Sequence, residues 1–300
     1  MVKRFTVLFL FLTSSVVLAQ VPAPDNLQSL SINGGKTPAE TAVNIGKQFL
    51  GKPYVPHTLD INPTEQLVVN IREFDCTTYL ETVLALTLAY HDIVEKSSAL
   101  PARPRQINPV QLEQAFHNYL TQLRYRDGRI DGYASRLHYF SDWLRDNERK
   151  GLLTDVTCDL PGSISVAKPV SYMTAATYKY PALRDPAIYK QVALTEATLS
   201  QQPFGFIPKK NIRLAESQLR EGDIVMLTAA RPGLDMKHVG IAVRQPDGRI
   251  HLLHASSDLG EVVITAYPLS DYVLWYKRLS GIRVARLKTN ESATAVARGK

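Results

Sequence analysis

The sequence predicts an α+β fold in one domain, with helices first and an antiparallel sheet last. Between Pro38 and Leu199 apolar residues recur at helical spacing in separate stretches, whereas from Gly222 onward the chain runs in short β-rich segments. Two of those segments are joined by Gln245-Pro246-Asp247-Gly248, a hairpin-turn sequence. No internal repeat and no clear linker divides the chain.

The N-terminus opens Met1-Val-Lys3-Arg4, continues with the apolar run Phe5 to Leu12 and reaches Val17-Leu18-Ala19. A basic start, a short apolar run and small residues before a cut read as a signal peptide over 1–19, so the protein is expected to be exported to the periplasm. That run is too short for a membrane span and no second one follows, so stable membrane insertion after cleavage is not expected. Residues 20–36 read as a leader, 37–287 as the folded domain and 288–300 as a flexible tail. Lys3 and Arg4 supply two of the formal net charge of +7, leaving +5 on the exported chain, a weak preference for anionic partners. Export argues against a nucleic-acid partner, and 45% hydrophobic residues excludes a disordered chain.

Thr37 before Pro38 starts a helix running to Leu50, which Gly51-Lys52-Pro53 ends. The apolar run Leu67 to Ile71 leads into Arg72-Glu-Phe-Asp75-Cys76-Thr-Thr-Tyr-Leu-Glu81. There Asp75 is an N-cap, and Tyr79, Leu80, Val83 and Leu84 repeat helically. Cys76 therefore starts a buried helix, where unpaired N–H groups favour a thiolate and can donate to a developing oxyanion. The plainer alternative is a small core cysteine. A disulfide to Cys158 would abolish any nucleophile; Cys158, in a loop sequence, reads equally well as a free thiol.

Residues 97–110 form a connection, Pro109 to Leu123 a helix and Arg126 to Gly132 a turn. The segment Tyr133 to Trp143 mixes aromatic and polar side chains, as either a site wall for a polar ligand or a wet-faced helix would. Pro186 to Leu199 reads as a helix. Strands are expected over Asp223–Thr228, His238–Val243, Arg249–His254, Glu261–Tyr267 and Leu274–Leu279.

The hairpin register selects among the histidines. With Gln245 and Arg249 flanking the loop, His254 falls opposite Gly240 and Ser256 opposite His238, so these four share a face and His251 takes the other. His251 and His254 emerge on opposite faces and no carboxylate stands at ligand spacing, so no metal or cofactor is expected. The pair His238 and His254 suits a cysteine hydrolase, in which one imidazole takes the thiol proton and a second group orients it. A chance pair on a wet sheet face is the alternative.

Five ordered motifs carry a family resemblance: Gly51-x-Pro53-Tyr54, Phe74-Asp75-Cys76-Thr77-Thr78, Glu221-Gly222-Asp223-Ile224-Val225, His238-Val239-Gly240-Ile241-Ala242 and Leu253-His254-Ala255-Ser256. Together they resemble the NlpC-type papain-like cell-wall peptidases. Leu67 to Cys76 and Ser135 to Trp143 are similar to the N-acetylmuramoyl-L-alanine amidase-like branch. The resemblance implies a papain-like domain, a cysteine helix packed on a histidine-bearing antiparallel sheet, with Cys76 as nucleophile, His238 as base, His254 as the orienting third member and Tyr54 beside the cysteine. Compared with compact relatives the interval from Cys76 to His238 is long. It is expected to hold a helical insertion over 97–215 that walls the cleft and offers Ser135, Arg136 and Tyr139 to substrate, Arg136 to a stem-peptide carboxylate. Val55-Pro56-His57 also departs from the pattern, so His57 is expected at the pocket edge. The implied partner is a peptidoglycan muropeptide, cut between N-acetylmuramic acid and L-alanine. The alternatives are a stem-peptide endopeptidase cutting after the D-glutamyl residue and a non-catalytic peptidoglycan-binding protein.

Overall fold

The computed structural model describes residues 34–98 and 107–288, together with Leu27, Leu30 and Ile32. The expected signal peptide, most of the leader and the tail beyond 288 lie outside the described residues. In chain order the helices are α1 (Pro38–Gln48), α2 (Cys76–Ser98), α3 (Pro109–Arg124), α4 (Phe140–Arg149), α5 (Tyr172–Ala175), α6 (Pro186–Ser200), α7 (Ile212–Ala215) and α8 (Leu269–Trp275). The strands are β1 (Leu153–Asp155), β2 (Ile164–Ala167), β3 (Pro203–Pro208), β4 (Ile224–Ala229), β5 (Met236–Arg244), β6 (Ile250–Ser256), β7 (Glu261–Ile264) and β8 (Leu279–Leu287). They form one sheet in the order β2-β3-β8-β4-β5-β6-β7, with β1 also on β8, and every pairing is antiparallel. The α+β expectation with an antiparallel sheet holds.

Three helices begin where a capping side chain precedes a proline. Thr37 accepts from Glu40 N–H, Asn108 from Val110 N–H and Asp185 from Ala187 N–H, and Pro38, Pro109 and Pro186 follow them. Proline costs nothing there, because its missing N–H would have had no intrahelical partner.

The sheet is covered on both faces, and the strand alternation shows how. Val239, Ile241, Val243, Leu253 and Ala255 join Leu80, Val83 and Leu84 of α2 in one core. Ala242, Ile250 and Leu252 join Leu269 and Val273 of α8 in the other. A buried ion pair, Arg124 Nε to Glu81 Oε2 at 2.7 Å, ties α3 to α2, and Arg124 also donates to the Val68 carbonyl. The run before the cysteine helix is thus fixed from the side.

Two sequence expectations are corrected. Leu274–Leu279 is not a strand: Asp271 and Tyr272 N–H bond to the Pro268 carbonyl and open α8, and β8 begins only at Leu279. The stretch 97–215 is not purely helical, since it contributes β1, β2 and β3 to the sheet. β2 is exposed along its whole length, so it carried no burial pattern to read.

Candidate active site

The first turn of α2 is closed by a reciprocal cap. Asp75 Oδ1 accepts from Thr78 N–H at 2.7 Å, while Thr78 Oγ1 accepts from Asp75 N–H at 2.9 Å. Cys76 is the first helical residue and is half-buried. The segment bearing Tyr54 is pinned to both sides of this point. Val55 N–H bonds to Phe74 O at 2.9 Å, Phe74 N–H to Pro53 O at 2.9 Å, and Tyr54 N–H to Gly260 O at 2.7 Å.

The hairpin has the expected register, with Ile241 opposite Leu253 and Arg244 opposite Ile250. Gly248, at φ +76°, takes the left-handed residue that closes the loop. His254 then falls beside Gly240, and His238 Nε2 lies 2.6 Å from His254 Nδ1. His254 is 2% exposed and its ring stands edge-on to Tyr272 of α8. His251 takes the other face, with its Nδ1 2.7 Å from the Thr265 carbonyl.

Cys76, His238, His254 and Tyr54 line one cleft of about 440 Å³. Its other walls are Ser256 to Asp258, Tyr272 of α8, and Trp275 to Leu279. Burial pushes the Cys76 thiol up to about 12, and the Asp75 carboxylate adds to this, against hydrogen bonds from Thr77 and the Val239 backbone. Burial pulls His238 down to about 4, helped by Lys237, and holds His254 well below its ordinary value. The helix end therefore does not make a resting thiolate here. Near neutral pH the cleft holds a thiol beside two neutral imidazoles, and with His238 Nε2 engaged by His254, Nδ1 is its remaining nitrogen for a proton. Among the described residues no group of three or more His, Cys, Asp or Glu side chains is placed to hold a metal ion. Both cysteines are free thiols, and Cys158 is exposed.

Three expected substrate contacts lie elsewhere. Ser135 Oγ serves its own loop, donating to Gly132 O and accepting from Asp131 N–H. Arg136 is 6% exposed and held by Asp60 at 2.5 Å, with Glu65 3.6 Å away, so its charge is already matched inside the protein. Tyr139 is 3% exposed and donates to Glu196 at 2.6 Å. His57 turns outward, its side chain 81% exposed, in a left-handed conformation at φ +64°. No described residue of 97–215 lines the cleft. The walls come instead from Tyr272, Trp275 and Tyr276; the expected strand Leu274–Leu279 covers the last two, and the helical spacing of Leu269, Tyr272, Val273 and Tyr276 is the sequence signal that points to α8 instead.

The sequence pattern of the N-acetylmuramoyl-L-alanine amidase-like family matches residues 44–281. Among solved structures the chain is similar to an N-acetylmuramoyl-L-alanine amidase from Bacteroides uniformis, at 35% identity and a TM-score of 0.72, over 84% of this chain and 99% of that one. It is also similar to a candidate xylanase from Bacteroides fragilis, at 37% identity and a TM-score of 0.68, over 81% of this chain and 99% of that one. A Legionella pneumophila protein shares the fold at 21% identity and a TM-score of 0.57, over 84% of this chain and 89% of that one. No curated protein matches.

Proposed function

The chain belongs to the N-acetylmuramoyl-L-alanine amidase-like family, and from that premise we propose that it is an exported, periplasmic cysteine hydrolase of papain-like architecture. It cleaves the amide between N-acetylmuramic acid and L-alanine in peptidoglycan fragments, with no cofactor. The observation that carries the reading is the convergence of Cys76 with the hydrogen-bonded pair His238 and His254 in one cleft.

In this reading Cys76 Sγ attacks the lactyl carbonyl as its proton passes to His238 Nδ1. The low basicity of the buried imidazole makes transfer and attack concerted, because a free thiolate is not populated at rest. N–H groups at the start of α2 face the developing oxyanion. The imidazolium gives its proton to the departing L-alanine nitrogen, leaving a thioester. His238 then takes a proton from water, which attacks the thioester and returns Cys76 as a thiol and the sugar as a carboxylic acid. His254 accepts from His238 Nε2–H throughout and fixes the ring.

Digestion of defined muropeptides followed by mass spectrometry tests this. The products expected are the muramyl sugar with a free lactyl carboxyl group and a peptide beginning with L-alanine. Retention of L-alanyl-D-glutamate on the sugar would instead assign a stem-peptide endopeptidase. Unchanged turnover in Cys76→Ala would remove the cysteine mechanism, and binding without turnover in the unaltered protein would leave a peptidoglycan-binding protein.

A further inference from the structure

The cleft carries cations that the protein does not neutralise. Lys237, Lys277 and Arg278 line it and are exposed, and among the described residues none of them forms an ion pair. Other arginines of the sheet and its surroundings behave differently. Arg249 is held by Glu216, Arg283 by Asp155, Arg286 by Asp223 and Arg136 by Asp60. Asp258 is the one acid among the described lining residues, and its Oδ2 accepts the Tyr276 hydroxyl at 2.7 Å. With both imidazoles neutral, three cations face one carboxylate.

The backbone places these side chains where they stand. Leu227 pairs with His238 but Thr228 pairs with Met236, so Lys237 is the extra residue of a β-bulge. In a regular strand Lys237 would face away from His238; the bulge re-aims it, and both line the cleft. Lys277 and Arg278 come just after Tyr276, the C-cap of α8, and the Arg278 carbonyl accepts from Ala230 N–H at 2.9 Å, which ties this corner to the end of β4. Two independent backbone features therefore bring unpaired positive charge to the same opening.

We propose that Lys237, Lys277 and Arg278 form the site that receives the free carboxylates of the stem peptide, so that acidic stems are preferred over amidated ones. The proposal rests on the amidase reading of this cleft, and it assigns to these three residues the role that the sequence offered to Arg136. The reach is suitable: with about 3.6 Å of extended chain per residue, a carboxylate on the residue after L-alanine lies within about 7 Å of the reacting amide.

The test measures binding without turnover, by calorimetry on the full exported chain carrying Cys76→Ala. The probes are N-acetylmuramoyl-L-alanyl-D-glutamate and the same compound with both glutamate carboxyl groups amidated. At low ionic strength the acid is expected to bind about tenfold more tightly, the sum of a few solvent-exposed charge contacts, and added salt should close the gap. Lys277→Gln with Arg278→Gln should remove most of the preference, and Lys237→Gln part of it. Equal binding of the two probes, or a preference unchanged in these variants, overturns the proposal. Turnover of the acid probe by the chain with Cys76 intact is measured alongside: hydrolysis with equal binding of the two probes removes only the carboxylate site, whereas discrimination without hydrolysis removes only the amidase reading.

Discussion

His238 Nε2 and His254 Nδ1 lie 2.6 Å apart with their rings nearly perpendicular, at 87°. One of the two nitrogens must carry the proton, and among the described residues His254 forms no ion pair; the Asp258 carboxylate favours its charged form, but burial and the neighbouring His238 outweigh it. The arrangement resolves if His238 donates, which leaves its Nδ1 as the lone-pair nitrogen in the cleft. His238→Ala and His254→Ala should therefore each lower kcat/KM, the first by at least about 10²-fold as expected for loss of a general base. His251→Ala should leave kcat/KM within a few-fold, since that ring belongs to the other face. Steady-state kinetics on folded variants checks this, and a larger loss at His251 would refute the assignment.

The pH profile should carry the mark of burial. His238 is pulled down to about 4, so it remains an unprotonated base through mildly acidic pH, and the acid limb of kcat/KM should fall nearer 4 than 6.5. Because Lys237 is one cause of that depression, Lys237→Gln should move the limb upward in pH, whatever it costs the plateau through weaker substrate binding. An acid limb at 6.5 that ignores residue 237 would contradict the environment described for this imidazole.

Stability should follow the same groups with a definite sign. His238 and His138, pulled to about 4 and about 3, resist protons that the unfolded chain accepts near 6.5, so acid favours unfolding. Each can remove at most about 1.4 kcal/mol per pH unit, starting below 6.5 and ending near its folded value. Urea titrations at pH 7 and pH 5 should show the midpoint falling, and His138→Gln should flatten the dependence.

The elements that position this pair were legible because local rules fixed them. A capping residue before proline started α1, α3 and α6, Asp75 capped the cysteine helix, and the turn Gln245 to Gly248 set the register that brought His238 toward His254. What escaped depends on tertiary context. A β-bulge at Lys237 has no sequence signature of its own, and the partners of Arg136 lie at Asp60 and Glu65, far along the chain. Nor did residues 133–143 announce that Tyr139 would be buried against α6. An amphipathic stretch looks the same whether its polar tips meet substrate or a buried glutamate.

Tyr139 separates those two readings directly. Its hydroxyl donates to Glu196 at 2.6 Å and accepts from Met173 N–H at 2.9 Å, within a small core that includes Val170, Leu183 and Val192. Tyr139→Phe should cost about 1–3 kcal/mol of stability by leaving these partners underbonded. Its KM and kcat should stay near the unaltered values, and a raised KM at unchanged melting temperature would return Tyr139 to the substrate.

Gly240 tests whether backbone approach sets the catalytic pair. A Cβ on this residue would stand 2.8 Å from the Leu253 carbonyl oxygen and 2.9 Å from both His254 Cβ and Leu252 Cδ1. Such contacts are too short to persist, and the carbonyl and His254 Cβ belong to the backbone framework of β6, so the strands must part. Gly240→Ala should therefore destabilise by about 1–3 kcal/mol, the usual cost of overpacking. It should also lengthen the 2.6 Å contact between His238 and His254, because the added methyl abuts the Cβ that carries the second ring. Loss of kcat beyond the fraction unfolded, with imidazole proton resonances shifted in both histidines, is the expected result. A lower melting temperature with unchanged kcat would mean that the glycine serves packing alone and that the pair is held by Tyr272 and the surrounding cleft.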